Sequence, residues 1–448
     1  MRSIFAAALR NRISALGFAL ATASGVIFLA LVALEMMGGL RSPYAGLVVF
    51  LMVPALFALG LLLIPIGLWR GRRHARSPGE PARPQVDLGS AGHRQALLFV
   101  AGATVVSVGL LSFASYGAVQ YTDSEQFCGQ ACHVPMEPQA VTHQGGPHAR
   151  VSCVSCHIEP GAQGFIRAKL NGTRQLALVV TDRFQRPIPS PPVKGLPNVH
   201  TSCEQCHWPD RFVGDVIKVV YEHADDEKNT ETKTTLRMHV GGPISGTSGG
   251  SGIHWHMNRG NQVEYVALDN TLEQIPYVRV STPDGKVREY YAEGTSERDL
   301  AGRPRRQMVC IDCHNRPAHR FGISPERSVD AAIGTGLISS AIPFIRREAV
   351  KALHVAYPTR EAALPAIENS LRESVHTNDA RALTQAIAVT QDIYRRSVFP
   401  SMKIGWGTYN NQIGHVTSQG CFRCHDDAHK TKDGVALGQD CESCHTIE

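Results

Sequence analysis

Residues 127–157 read FCGQACHVPMEPQAVTHQGGPHARVSCVSCH and hold one arrangement twice: Cys128 and Cys132 followed by His133, then Cys153 and Cys156 followed by His157. Two thiols a short turn apart, with an imidazole directly after the second, form the attachment pattern of c-type haem. The thiols make thioethers to the porphyrin and the imidazole ligates the iron. The stretch begins where a long apolar segment ends, so two such sites follow directly on a membrane exit.

Working outward, the arrangement recurs four more times. Cys203 and Cys206 precede His207, Cys310 and Cys313 precede His314, Cys421 and Cys424 precede His425, and Cys441 and Cys444 precede His445, which uses all twelve cysteines. With 20 histidines in 448 residues, six such coincidences have a probability on the order of one in a hundred million, so chance is excluded. Disulfides in an exported protein and zinc ribbons also use paired cysteines. Neither requires a histidine after every second cysteine, and six covalently bound haem c groups are expected. The first pair has one extra residue between its thiols, which its loop must absorb by bulging.

Upstream lie three apolar runs, Ile13 to about Met37, Tyr44 to Trp69, and Ala96 to about Val119, each long enough to span a bilayer as a helix. Between the second and third, Arg70, Arg72, Arg73, Arg76, Arg83 and Arg94 face only Glu80 and Asp87. That bias makes the 70–95 loop cytoplasmic and everything after the third span external. Attachment of c-type haem on the outer side of the bacterial inner membrane gives the same topology. None of the spans holds a histidine, so they read as an anchor or a partner-binding surface and offer no ligands for a haem within the bilayer. The formal net charge is +6, but there is no basic stripe among aromatics, and nucleic acid is excluded as a partner.

The fold class that follows is a membrane-anchored multihaem cytochrome: three N-terminal transmembrane helices, then a haem-organised, mostly irregular and α external region with a small β-rich insertion and a helical spacer. Its expected parts are an anchor over 1–122, a three-haem domain over 123–215, the β-rich insertion over 216–300 and a second three-haem domain over 301–448. In the first haem domain, 161–180 reads as a helix with Phe165, Ala168, Gly172 and Leu176 recurring on one face. Pro187 to Pro197 excludes regular structure, and Gly241 to Gly252 reads as a flexible loop. Strand-like segments run from Thr234 to Val240, Val263 to Leu268, Tyr277 to Ser281 and Val287 to Ala292. On a strand, His254 and His256 would project from the same side. The spacer over 324–397 starts on a Ser324-Pro325 cap and restarts after Pro358-Thr359.

Each motif histidine supplies one axial ligand, and an electron-carrying haem needs a second, imidazole or thioether. The candidates closest to the motifs are His148, His254, His256, His319, His415 and His429. His354 and His376 read as surface or packing residues. Met136, three residues beyond His133, either replaces histidine on the first iron or packs against its porphyrin.

At these residues the chain resembles the NapC/NirT family of membrane-anchored multihaem quinol dehydrogenases. The resemblance is carried by Phe127-Cys128 with Cys132-His133 and Met136-Glu137-Pro138, by Pro147-His148-Ala149-Arg150-Val151, by Lys169-Leu170 with Gly172 and Arg174-Gln175, and by Cys203-Glu-Gln-Cys206-His207-Trp208-Pro209. The remaining chain, with Cys310-Ile-Asp-Cys313-His314-Asn315-Arg316-Pro317, resembles larger three-span inner-membrane relatives of metal-respiring bacteria. The resemblance implies menaquinol oxidation beside the first haem, with Lys169 near the quinol and Met136 near or on the first iron. Electrons would pass to periplasmic cytochromes or a terminal reductase complex. The chain departs from smaller members in its three spans, its longer first motif and its strand-rich segment.

A quinol:cytochrome c oxidoreductase also needs a proton acceptor, for which Lys169, Glu125 and Asp182 are candidates. Two further readings stand beside this one. The chain is a passive electron-transfer subunit of a larger respiratory complex with the quinol site elsewhere, or a terminal reductase of a small nitrogen or sulfur oxyanion, which would need a haem without its distal ligand.

Overall fold

The computed structural model describes residues 12–37, 48–74, 89, 91–189, 197–241, 252–258 and 260–448. Most of the 70–95 loop, the centre of the proline-rich run and the Gly/Ser-rich loop lie outside them. The chain divides into two compact units, Met1–His133 and Val134–Glu448.

The first unit holds three helices, α1 (Arg12–Met36), α2 (Val53–His74, entered through a π-turn over Val48–Met52) and α3 (Ala91–Thr122). All three are long and apolar enough to cross a membrane. Helices in lipid gain nothing from burying apolar surface against each other, so small residues that admit close backbone approach decide the contact. Here α1 and α2 run antiparallel on such a seam: a Cβ on Gly60 would meet the Ala21 nitrogen at 2.6 Å and the Gly17 oxygen at 2.9 Å. Ser14 Oγ donates to the Ile64 carbonyl at 3.0 Å on the same seam. Phe28, Val49, Val53 and Ala114 form a small core that brings in α3. Outward, Val105 and Leu98 are left fully open, as lipid-facing residues are.

The second unit begins with α4 (His133–Gln144, whose first residue closes the first unit) and α5 (Ala162–Val180). The main core is helical: α6 (Pro325–Gly334), α7 (Ile345–His354), α8 (Arg360–Ser374) and α9 (Ala380–Ser397). Three of these starts are capped by side chains that accept a backbone N–H: Ser324 from Arg327 at 3.3 Å, Thr359 from Ala362 at 3.1 Å, and Asp379 from Ala382 at 2.9 Å. Val329, Ile345, Ala349, Ile367, Leu371 and Ala386 are completely buried between them.

Two antiparallel sheets complete the unit. One runs β1 (Gly214–His223), β2 (Glu231–Gly241), β7 (His445–Ile447); the other has the order β5 (Val287–Tyr291), β4 (Tyr277–Ser281), β3 (Gln262–Val266), β6 (Arg306–Gln307). Sequence texture announces β2 to β5. It misses β1 and β7, which are strands because of their partners: Asp215 pairs with His239, and Leu236 with Ile447. The first sheet thus joins residues 214–241 to the end of the chain. The tip of the β1–β2 hairpin is seated in the helical core, where Asn229 Nδ2 donates to Ile342 O at 2.8 Å and Arg346 N donates to Asn229 Oδ1 at 2.9 Å.

Candidate haem sites

The third, fourth and fifth attachment motifs each fold as one short turn closed on their own first cysteine. His207 N donates to Cys203 O at 2.9 Å, His314 N to Cys310 O at 2.8 Å, and His425 N to Cys421 O at 3.0 Å. A single turn of this kind brings both thiols and the imidazole to one side of the backbone. The first motif solves its extra residue differently. Gln126–Ala131 is a π-turn, whose wider i→i+5 ring holds one residue more per turn and keeps Cys128 and Cys132 about one turn apart. Gly420, ahead of Cys421, has φ +49°, and a Cβ there would sit 1.4 Å from the Gly414 carbonyl oxygen, so only glycine fits.

The twelve thiols form no disulfides. Among the described residues no group of three or more His, Cys, Asp and Glu side chains is gathered as a zinc site requires. What does gather is imidazole pairs. Ring centres lie 6.2 Å apart for His157 and His319, 6.0 Å for His207 and His148, 6.1 Å for His314 and His254, 6.0 Å for His425 and His256, and 6.2 Å for His445 and His415. Two imidazoles on opposite sides of one iron need about 2 Å of metal–nitrogen bond and about 1 Å from nitrogen to ring centre on each side, roughly 6 Å in all. The donor set fits haem c: two thiols, a motif imidazole and a second imidazole across an iron-sized gap.

Four of the five second imidazoles also have Nδ1 held by a backbone carbonyl. Nδ1 of His148 meets Pro317 O at 3.1 Å, that of His254 meets Val240 O at 3.0 Å, that of His256 meets Ile253 O at 3.0 Å, and that of His319 meets Gln139 O at 3.0 Å. A backbone carbonyl holds the proton on Nδ1, which leaves the Nε2 lone pair for a metal and fixes the ring. Burial holds His319 down to about 4. Burial, and then His143, keep His157 below the usual imidazole value. Both rings therefore stay neutral.

His429, expected as a ligand, is placed elsewhere. It is buried with Nδ1 at 2.8 Å from Asp426 and Nε2 at 2.6 Å from the Ile275 carbonyl, so both nitrogens are engaged within the protein and neither is open to an iron. The expectation that His254 and His256 share a face is also overturned. Ile253–Met257 is a 3₁₀ turn, whose three residues per turn set the two rings well apart in direction, and they face different motif histidines. The His133 side chain lies outside the described residues, and with it the ligation of the first iron. Met136 is half-buried in α4, and Lys169 on α5 has its Nζ 5.0 Å from the Phe165 ring centre. Glu125 is exposed just ahead of the π-turn, and Asp182 pairs with Arg186.

Sequence reasoning also passed over several residues that build the sites. Phe212 lies 4.6 Å from His254 and Phe422 stacks on His415 at 4.3 Å. His143 is buried, 6.0 Å from His319. Arg423, inside the fifth motif, donates to Gly420 O, Leu272 O and Asp312 O, each at 2.7 Å, and so ties the fifth motif to the fourth. An arginine between two cysteines carries no signal of this in the sequence.

Neighbouring sites touch electrostatically in chain order. Burial raises the Cys156 thiol and Cys203 adds to it; burial raises Cys310 and Cys203 adds again. Burial pushes Cys313 up to about 11 against Arg423, with Cys421 adding, and it raises Cys444, again with Cys421. Cysteines of consecutive motifs, from the second to the sixth, therefore lie near one another.

No family model matches the chain, and no solved structure does. The cytochrome c-type protein ImcH of Geobacter sulfurreducens is 41% identical over 449 residues, spanning 98% of this chain and 88% of ImcH. With that identity along nearly its whole length, three apolar helices and haem-attachment motifs in series, the chain belongs to the ImcH family of membrane-anchored multihaem cytochromes c, which carry covalently bound haem c.

Proposed function

We propose that the chain is a NapC/NirT-like quinol dehydrogenase of the bacterial inner membrane. It would bind six haem c groups on the periplasmic side, oxidise menaquinol and deliver electrons to a periplasmic acceptor. When bound, haem c supplies one-electron oxidation and reduction at each iron. The observation that carries the reading is that five motif imidazoles each face a second imidazole across about 6 Å. Irons held on both sides carry electrons and bind no substrate, which favours a relay over a terminal reductase. The residues that hold the five irons would be His157 with His319, His207 with His148, His314 with His254, His425 with His256, and His445 with His415. His133 would hold the first, with Met136 as its second ligand or its packing partner.

Quinol oxidation releases two protons with two electrons, so a base is needed beside the quinol. Lys169, Glu125 and Asp182 are the proposed acceptors. Reduction of the haem bands by menaquinol analogues in membranes, blocked by a quinol-site inhibitor, is the expected result; no reduction by any quinol would defeat the reading. Lys169→Met should slow that reduction at least about tenfold while leaving haem content unchanged. Assay of the purified chain separates a dehydrogenase from a passive subunit that receives electrons from another chain.

A further inference from the structure

The apolar stripe of α5 faces away from its own domain. At 100° per residue, Ala168, Leu178 and Val179 fall on one side of the helix and are partly covered. Ile166, Leu170 and Val180 recur on the opposite side and are 56%, 68% and 77% exposed. A helix packed on a protein core shows the reverse pattern. The helix carries Arg167, Lys169 and Arg174 and no acidic residue. Lys169 bends over the Phe165 ring on the edge of the stripe, a cation above an apolar surface.

We propose that α5 lies in the interface of the bilayer that the chain's own helices span, its stripe at the acyl-chain boundary and its Arg167 and Arg174 among lipid phosphates. Three observations select lipid over a protein partner. Exposed apolar residues recur on that side of the 19-residue helix from Ile166 to Val180. The charge on its borders has one sign, opposite to that of phosphate headgroups. Three membrane-crossing helices hold the chain at a bilayer, so the local concentration of that surface is high without any encounter step. This inference rests on membrane anchoring alone and is independent of quinol oxidation.

The test uses the haem-loaded full chain in its native membranes with the photoreactive residue benzoylphenylalanine at Leu170 or Ile166. Gln175, exposed on the opposite side of α5, is the control. Irradiation should add the mass of one phospholipid at 170 and 166 and none at 175. Cross-links from 170 to another polypeptide or to a second copy, equal lipid adducts at 175, or no lipid adduct at either apolar position would overturn the proposal. The haem spectrum verifies that each variant is folded, and Val180 replaces a position that is not tolerated. Quinol oxidation is followed in the same membranes. Loss of the adduct with oxidation intact removes this inference alone, and the converse removes the quinol reading alone.

Discussion

The difference between a histidine with an open ring nitrogen and one used up in the core lies in one hydrogen bond. His254 gives its Nδ1 proton to Val240 O and keeps Nε2 open, whereas His429 engages Asp426 and Ile275 O with its two nitrogens. His254→Met should raise the reduction potential of one iron and change its spectrum alone, because thioether replaces imidazole at a single site; redox titration followed by visible and EPR spectra checks it. His429→Ala should leave every iron spectrum unchanged. It should cost about 1–3 kcal/mol of stability by stranding the Ile275 carbonyl, read from denaturant melts. The motif histidines were legible in sequence because covalent attachment dictates their spacing. The five imidazoles that face them stood among the sequence candidates, but which faces which was not legible, since a partner need only arrive through space: His148 precedes its motif histidine by 59 positions, and His319 follows its own by 162.

At the scale of elements, the 3₁₀ turn Ile253–Met257 sets one imidazole opposite each of two motif histidines, His314 and His425. Gly252 sets its start with φ +81°, and a Cβ there would lie 2.4 Å from the His239 carbonyl oxygen. Gly252→Ala should therefore disturb the fourth and fifth haems together and spare the second and third, seen as two altered components in EPR, with at least about 1 kcal/mol lost. The hairpin leading to this turn is closed by Asp226, whose carboxylate is held below its usual range by the Thr230 hydroxyl and then the Thr230 N–H. A folded pKa below the unfolded one means that this stabilisation is complete above the unfolded value and is lost as pH falls through the folded one. Asp226→Asn should accordingly lower stability at neutral pH and flatten the acid limb below about pH 4, measured by melts across pH. Strands β2 to β5 were visible as β-branched runs. β7 was not, because its three residues become a strand only when the edge of β2 receives them.

Over the whole second unit, the hairpin is joined to the helical core by a partly buried ionic cluster. Arg346 donates to Asp330 at 3.2 Å and to Asp225 at 2.8 Å, and the His223 N–H meets Asp330 at 3.2 Å. Asp330 is buried, so Arg346→Met leaves a charge without its cation and should cost about 3–5 kcal/mol. The expected readout is a lower denaturation midpoint with an unchanged haem complement.

Sequence alone determined what is written in residues close together along the chain: six Cys/Cys/His motifs, three helices long and apolar enough to cross a membrane, and a capped helical stretch. Tertiary structure decided which imidazole stands across from which, that His429 belongs to the core, and that the last strand closes on residues 236–238. Those outcomes depend on distances between segments far apart in the chain, which no local pattern encodes.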